Sequence, residues 1–260
     1  MRAPGASLID GLTRASLGRP DYELALRQHS AYCRALEECG LTLTRLEVDE
    51  RFPDSTFVED TAVLVRSIAK GNPSSALTAI LTRPGAATRA GEVEPSRQAL
   101  FQFCSAMFSI HEPGTLDGGD VCEADDHFFI GVSERTNEAG AQQLADLLAS
   151  CGYTSTCSDI RNEKNILHLK SGVAYIGDNR LVITDTLAGR QMFSSFDLIR
   201  VDRGEEYAAN CVRVNDHVLV AAAHPKLERR LQNLGYRTIA LEMSEFQKVD
   251  GGLSCLSLRF

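Results

Sequence analysis

The sequence lacks the segments by which membrane-spanning and exported chains are recognised. No apolar stretch in its 260 residues approaches the roughly 20 residues that a helix needs to cross a bilayer. The amino-terminal segment also lacks the hydrophobic centre of a signal peptide. The sequence therefore predicts a protein without a membrane partner, located in the cytoplasm.

Cysteine and histidine are present without the spacings that metal and redox sites use. Eight cysteines in 260 residues are too dilute for a disulfide scaffold, and no two of them form a CxxC pair. The six histidines show no HxxxH or HxH spacing. We expect no metal and no cofactor, and we expect the cysteines other than Cys255 to be reduced and buried.

An excess of basic residues is also missing. The formal net charge is −8, which disfavours a nucleic-acid partner because phosphate binding needs a basic face. Charged residues make up 24% of the chain and hydrophobic residues 43%, as in ordinary globular proteins. The composition therefore indicates a folded protein rather than a disordered or fibrous one.

The first clear element is a helix. Apolar residues recur at helical spacing from Asp21 to Cys39, and Gly40 stands where a helix-terminating residue belongs. The following residues, Leu41 to Val48, alternate well enough to predict a half-buried strand with one slip at residues 44–45.

A unit of two strands and a helix then recurs along the chain. The paired runs, each joined by a turn-forming segment, are Thr61–Val65 with Ala76–Thr82 around Gly71–Pro73, Asp120–Cys122 with His127–Gly131, Val173–Ile176 with Arg180–Thr184, and Cys211–Val214 with His217–Val220. Helices are predicted over Pro95–Ile110, Asn137–Ser150 and Pro225–Leu234. Repetition of this kind predicts sheets arranged about an axis, because one unit cannot bury its apolar face alone.

Such an arrangement would gather polar residues from distant parts of the chain. No low-complexity linker interrupts the repeats, so we predict one domain over residues 1–260. The segments just before each hairpin would point to the centre: Glu59–Asp60, Asp117–Asp120, His168–Lys170, Asn210 and Asp250–Gly252. Alternation over residues 166–170 predicts a short strand at His168, and the apolar chain end predicts a last strand containing Cys255.

Two of these residues could form a nucleophile and a base. Cys255 follows a glycine pair that permits close backbone approach, and His168 offers an imidazole for acid and base catalysis. Both also have a plain structural interpretation, since most cysteines and histidines in such apolar settings belong to the core.

The acids and arginines suggest the substrate. Asp117 could belong to an ordinary turn, while Asp54, Glu59 and Asp60 could form a solvated loop, and Arg89 and Arg135 could make surface ion pairs. Alternatively, the acids bind a planar cation and the arginines a carboxylate. An arginine-like amino acid has both groups.

Several segments carry a specific family resemblance that runs nearly end to end. They are Phe52–Asp60, Thr115–Val121, Glu134–Asn137, Leu167–Ser171, Tyr207–Cys211 and Val249–Cys255. In this order they resemble the dimethylarginine dimethylaminohydrolases, which belong to the guanidine-modifying enzymes of the pentein fold. The resemblance implies an α/β fold, namely a five-bladed ββαβ propeller with pseudo-fivefold symmetry.

The resemblance also implies a role for each candidate residue. Cys255 would be the nucleophile, His168 the general acid and base, and Asp117 the carboxylate beside it. The implied substrate-binding residues are Asp60 and Glu59 for the guanidinium, Arg89 and Arg135 for the α-carboxylate, and Asp54 with the carbonyls of Leu12 and Val249 for the α-ammonium.

The implied reaction is hydrolysis of Nω-methylated arginine to citrulline and a methylamine through a covalent cysteine intermediate. Rival functions are those of an arginine deiminase, an amidinotransferase or a non-catalytic pentein binding module. The helical insertion typical of arginine deiminases is not evident in the sequence. A homodimer is compatible with the resemblance alone.

Overall fold

The computed structural model describes residues 1–66, 76–163 and 165–260. The chain divides into two compact units. Unit 1 comprises Met1–Thr56 and Lys170–Leu256, and unit 2 comprises Phe57–Leu169 and Ser257–Phe260.

Both units contain helices and strands. The helices are α1 (Tyr22–Glu38), α2 (Val93–Leu100), α3 (Glu138–Ser150), α4 (Asp185–Ala188), α5 (Pro225–Asn233) and α6 (Ser244–Gln247). The strands are β1 (Ala62–Arg66), β2 (Leu77–Leu81), β3 (Ala106–Ser109), β4 (Val121–Ala124), β5 (His127–Val132), β6 (Thr154–Asp159), β7 (Val173–Tyr175), β8 (Arg180–Ile183), β9 (Asp197–Arg200), β10 (Val212–Val214), β11 (His217–Ala221) and β12 (Arg237–Leu241).

The strands form four three-stranded sheets of identical topology. In each sheet the first two strands pair antiparallel, and the third returns through a helical connection to pair parallel with the second. Sheets β1-β2-β3 and β4-β5-β6 lie in unit 2, and sheets β7-β8-β9 and β10-β11-β12 lie in unit 1. The predicted α/β class and the repeated ββαβ unit are confirmed.

Local sequence explains the turns and helix ends. The hairpin residues Asp125, Asn179 and Asn215 have positive φ values of 56°, 57° and 50°, a conformation that Asp and Asn tolerate better than most residues. Asp21 caps α1 by accepting a hydrogen bond from the backbone nitrogen of Leu24 at 2.8 Å.

A turn of 3-10 helix precedes the first strand of every sheet. These turns are Val58–Thr61, Gly118–Asp120, Leu169–Ser171 and Glu206–Ala209, and a fifth lies at Ser254–Leu256. They contain or adjoin the polar residues that the sequence singled out.

Each unit has its own apolar core. In unit 2, Ile80 and Ile130 from the sheets pack with Leu144 of α3. In unit 1, Val182 and Val218 from the sheets pack with Leu231 of α5. Among the described residues, no helix combines the length and the apolar composition needed to cross a bilayer.

Four local predictions of secondary structure are wrong, and so is the expected burial of Cys157, which is exposed. Leu41–Val48 is not a regular strand, because only Leu46 makes an isolated parallel bridge, to Arg2. The helix predicted over Pro95–Ile110 ends at Leu100, and the rest of that run forms β3 because it finds parallel hydrogen-bonding partners in β2.

The other two errors concern site segments. The residues from Leu169 form a 3-10 turn rather than a strand, and Ser254–Leu256 likewise forms a turn rather than the predicted last strand. The predicted turn at Gly71–Pro73 lies outside the described residues. One domain over residues 1–260 stays a prediction.

Candidate active site

A buried ionic cluster in unit 2 is centred on Arg89. Its Nη1 donates to Oδ2 of Asp60 at 2.6 Å, while its Nε and Nη2 donate to Oε2 of Glu92 at 3.0 and 2.7 Å. Nη2 also donates to the carbonyl oxygen of Phe57 at 3.2 Å. Arg89 is only 4% exposed, so its guanidinium is committed to protein acceptors.

Asp117 and His168 form a second pair in unit 2. The imidazole Nε2 lies 3.1 Å from Oδ2 of Asp117, and Oδ1 of Asp117 accepts from the backbone nitrogen of Gly85 at 2.9 Å. Asp117 is fully buried and His168 is 7% exposed. The carboxylate thereby fixes the orientation of the imidazole ring.

The charges of the cluster shift the pKa values of His168 and Asp60. Burial acts to lower the pKa of His168, but Asp60, Asp120 and Asp117 outweigh it and raise the pKa to about 9. Burial acts to raise the pKa of Asp60, but the positive charges of His168 and Arg89 outweigh it and hold that pKa below its usual range. At neutral pH the cluster therefore contains an imidazolium and an Asp60 carboxylate.

The glycine pair between Asp117 and Asp120 allows close packing. A Cβ atom at Gly118 would lie 2.0 Å from the carbonyl oxygen of Glu59, and one at Gly119 would lie 2.8 Å from Nδ1 of His168. The backbone nitrogen of Gly119 donates to Oδ1 of Asp60 at 2.8 Å. Any larger residue would push this turn away from the cluster.

Glu59 and Arg135 lie at the margins of this arrangement. Glu59 is buried, and its Oε1 is 3.5 Å from Nη2 of Arg259. Arg135 is half-buried, and its guanidinium makes no ion pair within the ranges that the structure describes. Its backbone nitrogen donates to Oγ of Ser133 at 2.9 Å.

In unit 1, Cys255 lies in the 3-10 turn near the chain end. Its sulfur accepts from the backbone nitrogen of Gly252 at 3.4 Å, and the side chain is half-buried. Asn210 holds the turn, since its Oδ1 accepts from the nitrogen of Ser254 at 3.0 Å and its Nδ2 donates to Oγ of Ser254 at 3.0 Å and to the carbonyl oxygen of Lys170 at 2.8 Å. The turn that carries the thiol is therefore held in part by a neutral amide.

The three residues predicted to bind the α-ammonium group also come together in unit 1. The nitrogen of Leu12 donates to Oδ1 of Asp54 at 3.1 Å. A Cβ atom at Gly11 would lie 3.0 Å from Cγ1 of Val249 and 3.2 Å from Oδ1 of Asp54. The structure thus gathers Leu12, Asp54 and Val249 around one loop.

The sequence prediction missed three supporting residues, Glu92, Ser133 and Thr136, and gave Asp120 no role of its own. Glu92, Asp120, Ser133 and Thr136 are buried and hydrogen-bonded within unit 2. An acid three residues after Arg89 is a helical pair spacing that could have indicated Glu92. No short-range pattern links Asp120 to hydroxyls 13 and 16 residues away.

The cluster has the donor atoms for a cation. Asp60, Asp117 and His168 each offer one ligand atom, and these atoms lie within 4.8 Å of one another. A metal ion would have to displace the proton of His168 and compete with Arg89 for Asp60. The absence of a metal stays a prediction.

Comparison with known proteins finds a family model that matches part of the chain and relatives that are similar over its whole length. The family model described as arginine deiminase matches residues 101–208. The N(G),N(G)-dimethylarginine dimethylaminohydrolase of Pseudomonas aeruginosa is 43% identical over 260 residues, which cover 100% of this chain and 97% of that protein.

Solved structures of dimethylarginine dimethylaminohydrolases have a similar fold. A cysteine-to-serine mutant of the Pseudomonas aeruginosa enzyme, complexed with citrulline, has a TM-score of 0.93 and 41% identity, with coverage of 100% of this chain and 97% of that chain. A dimethylarginine dimethylaminohydrolase with a histidine-to-glycine substitution, in an adduct with S-methyl-L-thiocitrulline, gives the same TM-score, identity and coverage. These matches define the class as pentein enzymes that act on guanidine groups. The chain belongs to the dimethylarginine dimethylaminohydrolase family, which confirms the resemblance predicted from its motifs.

Proposed function

We propose that the protein hydrolyses Nω-methylated L-arginine, with asymmetric dimethylarginine and monomethylarginine as substrates. The products are L-citrulline and dimethylamine or methylamine. The observation that carries the proposal is the buried cluster of Asp60, Asp117 and His168 in a chain of this family. Citrulline, which is bound in a solved relative, is the product that this reaction would leave.

The charge of the cluster supports a cationic substrate. The carboxyl groups of Asp60, Glu92 and Asp117 outnumber the cations Arg89 and His168 within the buried set. A guanidinium group would offset that excess, and its planar donors match carboxylate oxygens. We assign guanidinium binding to Asp60 and Asp117, with Glu59 in the surrounding network.

Cys255 is the proposed nucleophile. Its sulfur attacks the guanidinium carbon, and the resulting tetrahedral adduct expels the methylamine to leave a covalent thiouronium-like intermediate. A backbone N–H already points at the sulfur, from Gly252 at 3.4 Å, and hydrogen bonding of this kind favours a thiolate. Water then attacks the intermediate, and the sulfur leaves as citrulline forms.

His168 is the proposed general acid and base. Because its pKa is raised to about 9, it is protonated at neutral pH and can give a proton to the departing amine. The resulting neutral imidazole can then remove a proton from the attacking water. Asp117 orients the ring through both steps and stabilises the imidazolium form.

The two arginines take different roles in the proposal. Arg135, whose guanidinium makes no ion pair in the described parts of the chain, binds the α-carboxylate. Arg89 was expected to share that task, but Asp60, Glu92 and Phe57 already occupy its donors. We assign Arg89 to holding Asp60. Leu12, Asp54 and Val249 take the α-ammonium, as predicted.

The five-bladed form is part of the proposal. The described residues contain four ββαβ sheets, and a fifth repeat is supported by the 3-10 turn at Ser254–Leu256 and by the parallel bridge of Arg2 with Leu46 on either side of α1. Pairing across a helix is also how the third strand of every sheet joins the second. The cytoplasmic location and the homodimer stay predictions.

Cysteine substitution tests the nucleophile. Cys255→Ser should reduce citrulline formation below detection, whereas Cys157→Ser, at an exposed cysteine of β6, should retain the wild-type rate. Turnover by the Cys255 variant would overturn the assignment. Incubation of His168→Gly with S-methyl-L-thiocitrulline should give a covalent adduct on Cys255 in peptide mass spectrometry, and normal turnover by this variant would remove the acid and base role.

A second candidate function is arginine deimination. The match of residues 101–208 to the arginine deiminase model favours it. Side-by-side citrulline assays with arginine, monomethylarginine and dimethylarginine discriminate the two, since our proposal expects kcat/KM to be highest for a methylated substrate. Highest kcat/KM for arginine would assign the deiminase function, and activity towards none of the three would favour an amidinotransferase or a binding module.

A further inference from the structure

A buried carboxyl group outside the predicted site lies among three of its members. Asp120 is fully buried in unit 2. Its Oδ2 accepts from Oγ of Ser133 at 2.6 Å and from Oγ1 of Thr136 at 2.7 Å, and its Oδ1 accepts from the backbone nitrogen of Leu169 at 2.9 Å. Leu169 directly follows His168. One carboxyl group thus joins the turn that carries it to two other segments.

The two hydroxyl groups donate their hydrogen bonds to Asp120. An ionised carboxylate can only accept, so it draws the hydroxyl protons of Ser133 and Thr136 toward itself. The two hydroxyl oxygens are then left as acceptors for backbone N–H groups. Oγ of Ser133 accepts from the nitrogens of Arg135 at 2.9 Å and Thr136 at 3.1 Å, and Oγ1 of Thr136 accepts from the nitrogen of Asp117 at 3.1 Å.

Three chains of hydrogen bonds from Asp120, here called arms, therefore end on site residues, and the Ser133 arm also contacts the backbone of Thr136. The Ser133 arm ends on the backbone of Arg135, the Thr136 arm ends on the backbone of Asp117, and the direct arm ends beside His168. Every donor and acceptor in this set is satisfied in the low-dielectric interior, where an unpaired group would be costly.

We propose that Asp120 is a positioning residue that sets the carboxylate-binding Arg135 through the hydroxyl of Ser133 and the Asp117–His168 pair through the hydroxyl of Thr136. The proposal rests on the proposed function, because it uses the roles assigned there to Arg135 and His168. It predicts that the two arms control different kinetic constants.

The Ser133 arm should act on substrate affinity. Binding of the α-carboxylate is the same before and during the reaction, so losing it raises KM and leaves kcat unchanged. Ser133→Ala removes the acceptor for the backbones of Arg135 and Thr136, while the side-chain hydrogen bond from Thr136 to Asp120 remains. We expect KM to rise about tenfold, as for the loss of about one hydrogen bond, with kcat within about twofold of wild type.

The Thr136 arm should act on the chemical step. Thr136→Val keeps the shape of the side chain and removes the acceptor for the backbone of Asp117. We expect kcat to fall about tenfold with KM within about twofold. The titration of His168, followed by NMR of its ring protons without substrate, should move to lower pH, because its carboxylate partner is displaced.

Asp120→Asn tests the role of the Asp120 carboxylate itself. An amide in place of the carboxylate would present a donor to the two hydroxyls and reverse their polarity, so we expect both kinetic constants to worsen. Asp126→Asn is the matched control, with the same chemical change at an exposed position between β4 and β5, and it should behave as wild type. Assays at pH 8 keep Asp120 ionised, since burial raises its pKa to about 6.

The experiment compares wild type with these four variants by steady-state kinetics, His168 NMR and circular dichroism. The expected split, with the NMR shift in Thr136→Val but not in Ser133→Ala, supports the proposal even if Asp120→Asn does not fold. Equal changes in kcat and KM in both hydroxyl variants, or no change in either, with an unmoved His168 titration, overturn it. An inactive wild type that still shows the selective NMR shift would refute the proposed function while supporting the Thr136 arm.

Discussion

Two turns of the same kind hold their functional residues by opposite means. In unit 2 the turn Gly118–Asp120 is surrounded by buried charges, with Asp60, Arg89 and His168 in one network. In unit 1 the turn Ser254–Leu256 is held by the neutral amide of Asn210. The contrast teaches that the same backbone element can be supported either by buried charges or by a neutral amide. Under the proposed function, the charged turn binds a cation and the neutral turn presents a thiol.

The comparison predicts the largest loss of stability at Arg89, the arginine of the buried network beside the charged turn. Arg89→Met would leave Asp60 and Glu92 buried without their cation, so the free energy of unfolding should fall by about 3–5 kcal/mol. Arg135→Met, at a half-buried arginine, should cost less than about 1 kcal/mol and act on KM instead. Urea unfolding of both variants measures this, and equal small losses would contradict the structural role of Arg89.

The next effect is a dependence of stability on pH. The pKa of His168 is about 9 in the fold and near 6.5 in the unfolded chain, so folding strengthens proton binding. The stabilisation is complete below pH 6.5 and is lost as the pH rises through about 9, and it amounts to at most about 3 kcal/mol.

His168→Gln removes this dependence. The difference in unfolding free energy between wild type and His168→Gln should therefore shrink between pH 6 and pH 9.5. His111→Gln, at an exposed histidine, is the control. A difference that stays constant over this range would mean that His168 is not protonated preferentially in the fold.

The neutral turn should respond more mildly. Asn210→Asp retains an acceptor for Ser254 but places a carboxylate oxygen against the carbonyl oxygen of Lys170, which we expect to cost about 1–3 kcal/mol. Alkylation of Cys255 by iodoacetamide, followed by mass spectrometry, should change in rate. Asn233→Asp, an exposed change of the same kind, should alter neither quantity.

The smallest effect is expected at Tyr207. Its hydroxyl donates to the carbonyl oxygen of Gly251 at 2.8 Å, and burial raises its pKa, with the nearby thiol of Cys255 adding to the increase. Tyr207→Phe should lower the unfolding free energy by about 0.5–1.5 kcal/mol. Tyr22→Phe on α1 is the control, and an equal loss in both variants would show that the Gly251 contact adds nothing.

The repeat could be predicted from the sequence because its signals are local. The turn residues Asp125 and Asn215 mark hairpins, and Asp21 with Gly40 brackets α1. The strand β3 could not be predicted, because residues 106–109 continue a helical pattern and become a strand only by pairing with β2. Parallel pairing is a long-range contact that no short window records.

In the candidate site, too, some features could be predicted from the sequence and others could not. Asp117 and His168 were predicted and lie within hydrogen-bonding distance of each other. The role of Arg89 was assigned from its type alone, which cannot reveal that Glu92 and Asp60 already engage it. Asp120 was predicted to lie in a segment that points to the centre, but its partners could not be predicted, because Ser133 and Thr136 approach it only through the fold.

The recurrence of one short turn ahead of every sheet has a consequence for how such chemistry changes over time. Four of the five turns lead into a strand that pairs in a sheet, so the turn and the sheet are separate local elements. Substitutions for a new specificity would therefore be placed at the non-glycine positions of these four turns, with the strands left unchanged. The same separation makes these positions suitable for a combinatorial library.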